Sequence, residues 1–197
     1  MRAVRTTPVL LLAALLAGGC AHAPTGAPAA GRPADWFPLA VGNEWVYADR
    51  SPQLSPADQA KRQRTVRILS RDAEGYYLDN EKGALRADPD CLHDRLRRLL
   101  CAPFEPGRAW SSVVGVGSTE RYEIVAVGER VQTPAGAFDG CLRVRAHTRA
   151  GPEAEAVLEI TYAPRVGPVR IETFAVVKGV VTPQVRGELK SYRVGGR

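Results

Sequence analysis

The chain has 197 residues and a formal charge of +6, to which Arg2 and Arg5 contribute; 45% of its residues are hydrophobic and 24% are charged. The positive excess is mild and dispersed, so nucleic acid is not expected as a partner. The length fits one folded domain with a sizeable core behind an N-terminal address.

Met1-Arg-Ala-Val-Arg5 carries charge without acid, and Pro8 to Ala17 is apolar throughout. A charged start followed by a short apolar run is the pattern of a secretory signal. The run is too short for the roughly 20 apolar residues that a membrane-spanning helix needs. Leu16-Ala17-Gly18-Gly19-Cys20 resembles the lipobox of bacterial lipoproteins, with Ala17 where Leu is usual. That resemblance implies that residues 1–19 are removed as a lipoprotein signal peptide. It also implies that the Cys20 thiol receives a diacylglyceryl group and that the new amine is acylated. Two or more acyl chains, each contributing about 0.8 kcal/mol per buried CH₂, hold a protein stably on a bilayer. The expected first partner is therefore the membrane, through this anchor. Ala21, rather than Asp, follows the lipidated Cys; by the same resemblance this implies the outer membrane, on its periplasmic side.

Ala21 to Ala34 is small and Pro-rich, with too little apolar surface to offset the entropy of ordering. Residues 20–35 therefore read as a lipidated Cys and flexible tether, and Trp36 and Phe37 open a β-rich globular domain over residues 36–197. Strands are expected first at Glu44–Asp49, Arg64–Arg71, Tyr76–Asp79 and Gly83–Ala87. Between Leu92 and Leu100 the pattern is ambiguous. Leu92, Leu96, Leu99 and Leu100 share a helical face, while Leu96–Cys101 fits an edge strand equally well. Period-two patterning then dominates in Arg121–Val127, Leu142–His147, Val157–Tyr162, Val169–Val177 and Gly187–Val194. Turn residues at Pro134-Ala-Gly136, Ala150-Gly-Pro152, Ala163-Pro-Arg-Val-Gly167 and Lys178-Gly179 separate them. The fold class that follows is all-β. It is a single antiparallel, strongly curved sheet or barrel-like meander with at most a short helical segment.

Pro38-Leu-x-x-Gly42-x-x-Trp45 is echoed by Pro103-Phe-x-x-Gly107-x-x-Trp110. The echo reads as two loops that plug a β-body with large aromatics, in preference to a duplicated unit around a pocket. Three further segments carry a resemblance: Trp36 to Tyr47, Thr133 to Val144 and Tyr162 to Arg170. In this order they resemble a family of exported bacterial β-rich domains, frequent in Gram-negative lipoproteins and mostly of unknown function. The resemblance implies fold and compartment and brings no catalytic residues with it.

Four cysteines are present. With Cys20 committed to lipid, Cys91 and Cys101 are the favoured disulfide in an oxidising compartment, because closing that short loop needs no global constraint. Such a loop contributes about 3 kcal/mol. Cys141 reads as a small buried hydrophobe. No metal site is expected: His22, His93 and His147 stand apart, and Asp88, Asp90 and Asp94 read as an acidic surface loop. Gly-x-Ser-x-Gly is absent, and Gly115-Val-Gly117 lacks the third glycine of a dinucleotide loop. Glu123, Glu129, Glu159 and Glu172 read as cross-strand partners of Arg121, Arg143, Arg145 and Arg170. The expectation is a non-enzymatic module without cofactor. It binds an apolar or envelope-derived ligand in a concave interior near Trp45, Tyr76, Tyr77, Trp110 and Tyr162. The alternative is a structural or assembly partner of another envelope protein, docking through an open edge strand or an Arg95, Arg97 and Arg98 patch. A hydrolase with an unrecognised site comes third.

Overall fold

The computed structural model describes residues 31–195. The signal peptide, Cys20 and the first part of the expected tether lie outside the described residues. The first six strands are β1 (Glu44–Arg50), β2 (Gln63–Arg71), β3 (Tyr77–Asp79), β4 (Ala84–Ala87), β5 (Cys91–His93) and β6 (Arg98–Cys101). The second six are β7 (Ala109–Gly115), β8 (Ser118–Thr133), β9 (Gly136–Gly151), β10 (Ala154–Ala163), β11 (Gly167–Val177) and β12 (Val180–Arg193). Two short helices, α1 (Pro33–Trp36) and α2 (Pro56–Lys61), accompany them. Within each set of six, every strand pairs antiparallel with the next, and β12 returns to pair with β1. The result is an all-β meander in one antiparallel sheet, nearly closed into a barrel, with β6 and β7 as its two edges.

Alternation along the long strands sorts the two faces. Tyr122 and Ile124 on β8 lie opposite Ala146 and Val144 on β9, and Tyr47 on β1 lies opposite Leu189 on β12. All six are buried and join Trp36, Trp45, Leu92, Leu100 and Phe104 in one core. Burying each large side chain stabilises the fold by about 1.5–3 kcal/mol. The expected segments lie within the strands except at Tyr76, Gly83 and Val194, which fall just outside β3, β4 and β12, and β8 and β9 run well beyond theirs. Three register shifts along β8 and β9 break the alternation after Ile124, so a period-two reading stops early.

The ambiguous Leu92–Leu100 segment is a β-hairpin, not a helix. Leu92 faces Leu100 and Cys91 faces Cys101 across β5 and β6. The Asp94 carboxylate accepts the backbone N–H groups of Leu96 and Arg97, which shapes the turn. The helical spacing of the leucines is therefore incidental, since Leu96 is exposed in that turn. Helices occur elsewhere. Ser55 caps α2 by accepting the Asp58 N–H, with Pro56 in its first turn. Pro33–Trp36 forms α1, and Pro33 is buried, so the folded body begins before Trp36.

The echoed loops are structurally equivalent. Gly42 and Gly107 both adopt positive φ, at 93° and 84°. The Gly42 N–H donates to Ile68, whose N–H donates to Asn43, at 2.9 Å each. Gly107 repeats this with Ile124 and Arg108, at 2.8 and 2.9 Å. Each loop opens one six-strand half and delivers a tryptophan whose indole N–H donates to a backbone carbonyl. Trp45 reaches Val166 at 2.7 Å, and Trp110 reaches Arg98 at 2.6 Å. The second bond crosses the β6–β7 seam. There Ser112 Oγ also accepts the Arg98 N–H at 2.9 Å, and the Arg98 guanidinium donates to the Ser111 carbonyl at 2.7 Å. Side chains thus close the seam where no backbone ladder forms.

Candidate functional site

The face of β8 to β12 opposite the core carries charge and grooves. Register places Arg145 beside Glu159, His147 beside Val157, Val157 beside Phe174, and Val176 beside Val181. These side chains form a groove of about 270 Å³. Its floor is apolar (Val157, Phe174, Val176 and Val181) and its wall is polar (Arg145, His147 and Glu159). A groove of about 570 Å³ shares His147 and Val176 with it, and one of about 360 Å³ shares His147 alone. His147 therefore sits where three grooves meet, with its Nδ1 3.2 Å from a Glu155 oxygen.

Glu159 is buried to 8% exposure yet bracketed by two guanidiniums, Arg143 at 3.2 Å and Arg145 at 2.6 Å. Removing a carboxylate from water costs several kcal/mol, and this cost is tolerated only with such partners. Arg143 also reaches Glu129 at 3.0 Å. Two strands along the sheet, on β12, Glu188 lies between Arg186 at 2.6 Å and Arg170 at 3.4 Å, and Arg186 reaches Glu172 at 3.7 Å. The expected pairing is thus present for Glu129 and Glu159 with Arg143 and Arg145, while Arg170 and Glu172 take Glu188 and Arg186 from outside the expected set. Arg170 takes Glu188 rather than Glu172 because the β11–β12 register sets Arg170 opposite Glu188 and Glu172 opposite Arg186. Glu123 lies opposite Arg145 and Arg121 opposite His147, but neither Glu123 nor Arg121 has an ion pair among the described residues.

The other sequence-selected residues are held within the fold. Cys91 and Cys101 are joined as a disulfide across β5 and β6. Cys141 is a buried free thiol whose pKa burial pushes up to about 11, which opposes thiolate chemistry. Arg95 donates to Glu74 at 2.8 Å and Asp72 at 2.6 Å and lies over the Tyr76 ring. Arg97 pairs with Asp94, and Arg98 bonds across the seam. The three guanidiniums go to separate partners. Asp88 accepts the N–H groups of Cys91 and Asp90 and contacts His93. Partial burial opposes its ionisation, but these hydrogen bonds hold its carboxyl below the usual range. No group of three or more metal-ligating side chains occurs among the described residues. Trp45, Trp110 and Tyr162 are buried in the core, while Tyr76 and Tyr77 lie half-buried beneath arginines.

None of the aromatics singled out in the sequence lines these grooves. Their signal was present in Phe174-Ala-Val-Val177 and Val180-Val181. Apolar residues there fall on both faces of a hairpin where alternation alone would leave one polar.

No family model matches the chain, and no curated protein matches it. Among solved structures it is similar to a Bacteroides fragilis NCTC 9343 protein described as exported, with a YmcC-like fold. That match has a TM-score of 0.50 and 17% identity, over 80% of this chain and 98% of the other. A protein from Parabacteroides distasonis ATCC 8503, described as a lipoprotein, aligns over the same shares at 14% identity with a TM-score of 0.40. At 17% identity, the likeness to the Bacteroides protein is one of fold.

Proposed function

We propose that this chain is a lipid-anchored envelope lipoprotein acting as a non-enzymatic binding module for an amphipathic, envelope-derived ligand. The anchor is the thioether at Cys20 implied by the lipobox, and Ala21 favours the periplasmic side of the outer membrane. One observation carries the binding role: the groove floored by Val157, Phe174, Val176 and Val181 and walled by Arg145, His147 and Glu159. Its apolar floor suits a hydrocarbon or side-chain surface, and its wall suits a polar head. The acids of this face are largely neutralised by arginines, which favours recognition over acid–base chemistry. The internal engagement of Arg95, Arg97 and Arg98 weighs toward the groove and away from docking through that patch.

The test is native mass spectrometry of the full chain extracted from membranes in mild detergent. Wild type is expected to retain a bound small molecule beyond its own acyl groups. Val181 is 60% exposed, so Val181→Glu should leave the thermal midpoint within a few degrees and cut occupancy at least about tenfold. Equal occupancy in both proteins, or no bound species in either, would remove the proposal.

A further inference from the structure

A separate groove of about 350 Å³ lies where β1, α2, β2 and β12 come together. Arg50, Arg62 and Lys190 line it, and Ala48, Pro56 and Pro134 lie among them. All three cations are exposed, and none forms an ion pair among the described residues. Of the acids on the same elements, Asp49 is offset by Arg64 at 3.3 Å and Glu188 by Arg186 and Arg170. Among the described residues the Asp58 carboxylate makes only a hydrogen bond, accepting from Ser55 Oγ at 2.6 Å. The grooves that meet at His147, and the one that adjoins Phe174 and Pro183, each include a glutamate in their walls; this one includes none. The gathering is built by the fold, because Ala48 lies in register between Gln63 on β2 and Glu188 on β12. A small side chain there leaves room among long basic ones.

We infer that this groove binds an oxyanion of the phosphate class, free or as the headgroup of an anionic lipid. Guanidinium forks match phosphate oxygens in bidentate pairs, and the Lys190 ammonium adds a mobile point charge. Three like charges with no acid among them repel one another, and a bound anion relieves that repulsion. The prolines and Ala48 offer apolar surface to the carbon skeleton next to the phosphate. Because the side chains are exposed, the attraction is screened by salt.

The test is titration calorimetry on the full chain in a nonionic detergent. The probes are inorganic phosphate, dihexanoyl phosphatidylglycerol and, as a zwitterionic control, dihexanoyl phosphatidylcholine. Binding of phosphate and phosphatidylglycerol alike identifies the oxyanion as sufficient. Binding of phosphatidylglycerol alone identifies the lipid headgroup; both results support the site. Arg62→Glu and Lys190→Glu should each weaken binding about tenfold. Arg108→Glu makes the same charge change in the β6–β7 loop and should leave binding unchanged. No binding of either anionic probe would overturn the inference, as would equal weakening by Arg108→Glu or equal affinity for phosphatidylcholine. Val181→Glu leaves this groove intact, so failure here and failure of the amphipathic groove are separately visible.

Discussion

Glu159 shows how one side chain organises a surface. Its carboxylate sits between Arg143 and Arg145 on β9 and is nearly withdrawn from water. Removing one partner from such a cluster costs more than the net worth of the pair, because charge is left behind without compensation. Here the two arginines are about a third exposed, so solvent supplies part of that compensation. Glu159→Ala should therefore destabilise the protein by about 1–3 kcal/mol, read as a lowered urea midpoint. Arg145→Ala should cost less than about 1 kcal/mol, since Arg143 still holds the acid. Equal losses would mean that packing of the side-chain stems, and not charge, dominates at this position.

At the scale of elements, the β6–β7 seam is the place where the barrel is closed without a ladder. Three hydrogen bonds span it, and each uses a side chain: the Trp110 indole, the Ser112 hydroxyl and the Arg98 guanidinium. Trp110 also stacks on Tyr122 at 5.6 Å, so it ties β6 to the core of the second half. Trp110→Phe keeps most of the apolar surface and deletes one bond, which should cost about 1–2 kcal/mol. Hydrogen exchange should show the loss as faster exchange in β6 and β7, with β9 to β11 unchanged. A uniform loss of protection would mean that the seam opens only with the whole fold. The disulfide at the root of the β5–β6 hairpin limits how far that edge can depart.

For the whole molecule, strand lengths are unequal, and this leaves one edge open. Pairing of β1 with β12 ends at Arg50 and Arg186, so Val180 to Val185 extends past β1 with no strand paired to that side among the described residues. Val180, Val181 and Val185 are exposed on that extension, a composition that invites pairing with another chain. Pro183 interrupts the edge because it offers no N–H to a new strand. Pro183→Val should promote concentration-dependent self-association, measured by sedimentation velocity. A monomeric variant at every concentration would show that twist, and not proline, protects the edge.

Local patterning was enough to place the turns and the run of β-strands, because alternation and Gly/Pro punctuation are written residue by residue. The short-loop pairing of Cys91 with Cys101 was legible for the same reason, and so was the echo that positions Trp45 and Trp110. The hairpin at Leu92–Leu100 was not, since a leucine spacing of three and four fits a helix until Asp94 is seen capping a turn. The grooves, the arginine–glutamate partners and the cation cluster at Arg50, Arg62 and Lys190 depend on register between strands far apart in the chain. One residue of slip moves every side chain to the other face, and bulges decide where that happens. Sequence fixes which residues alternate, but only the assembled sheet decides which of them share a face, because that choice is made by hydrogen bonds between distant strands.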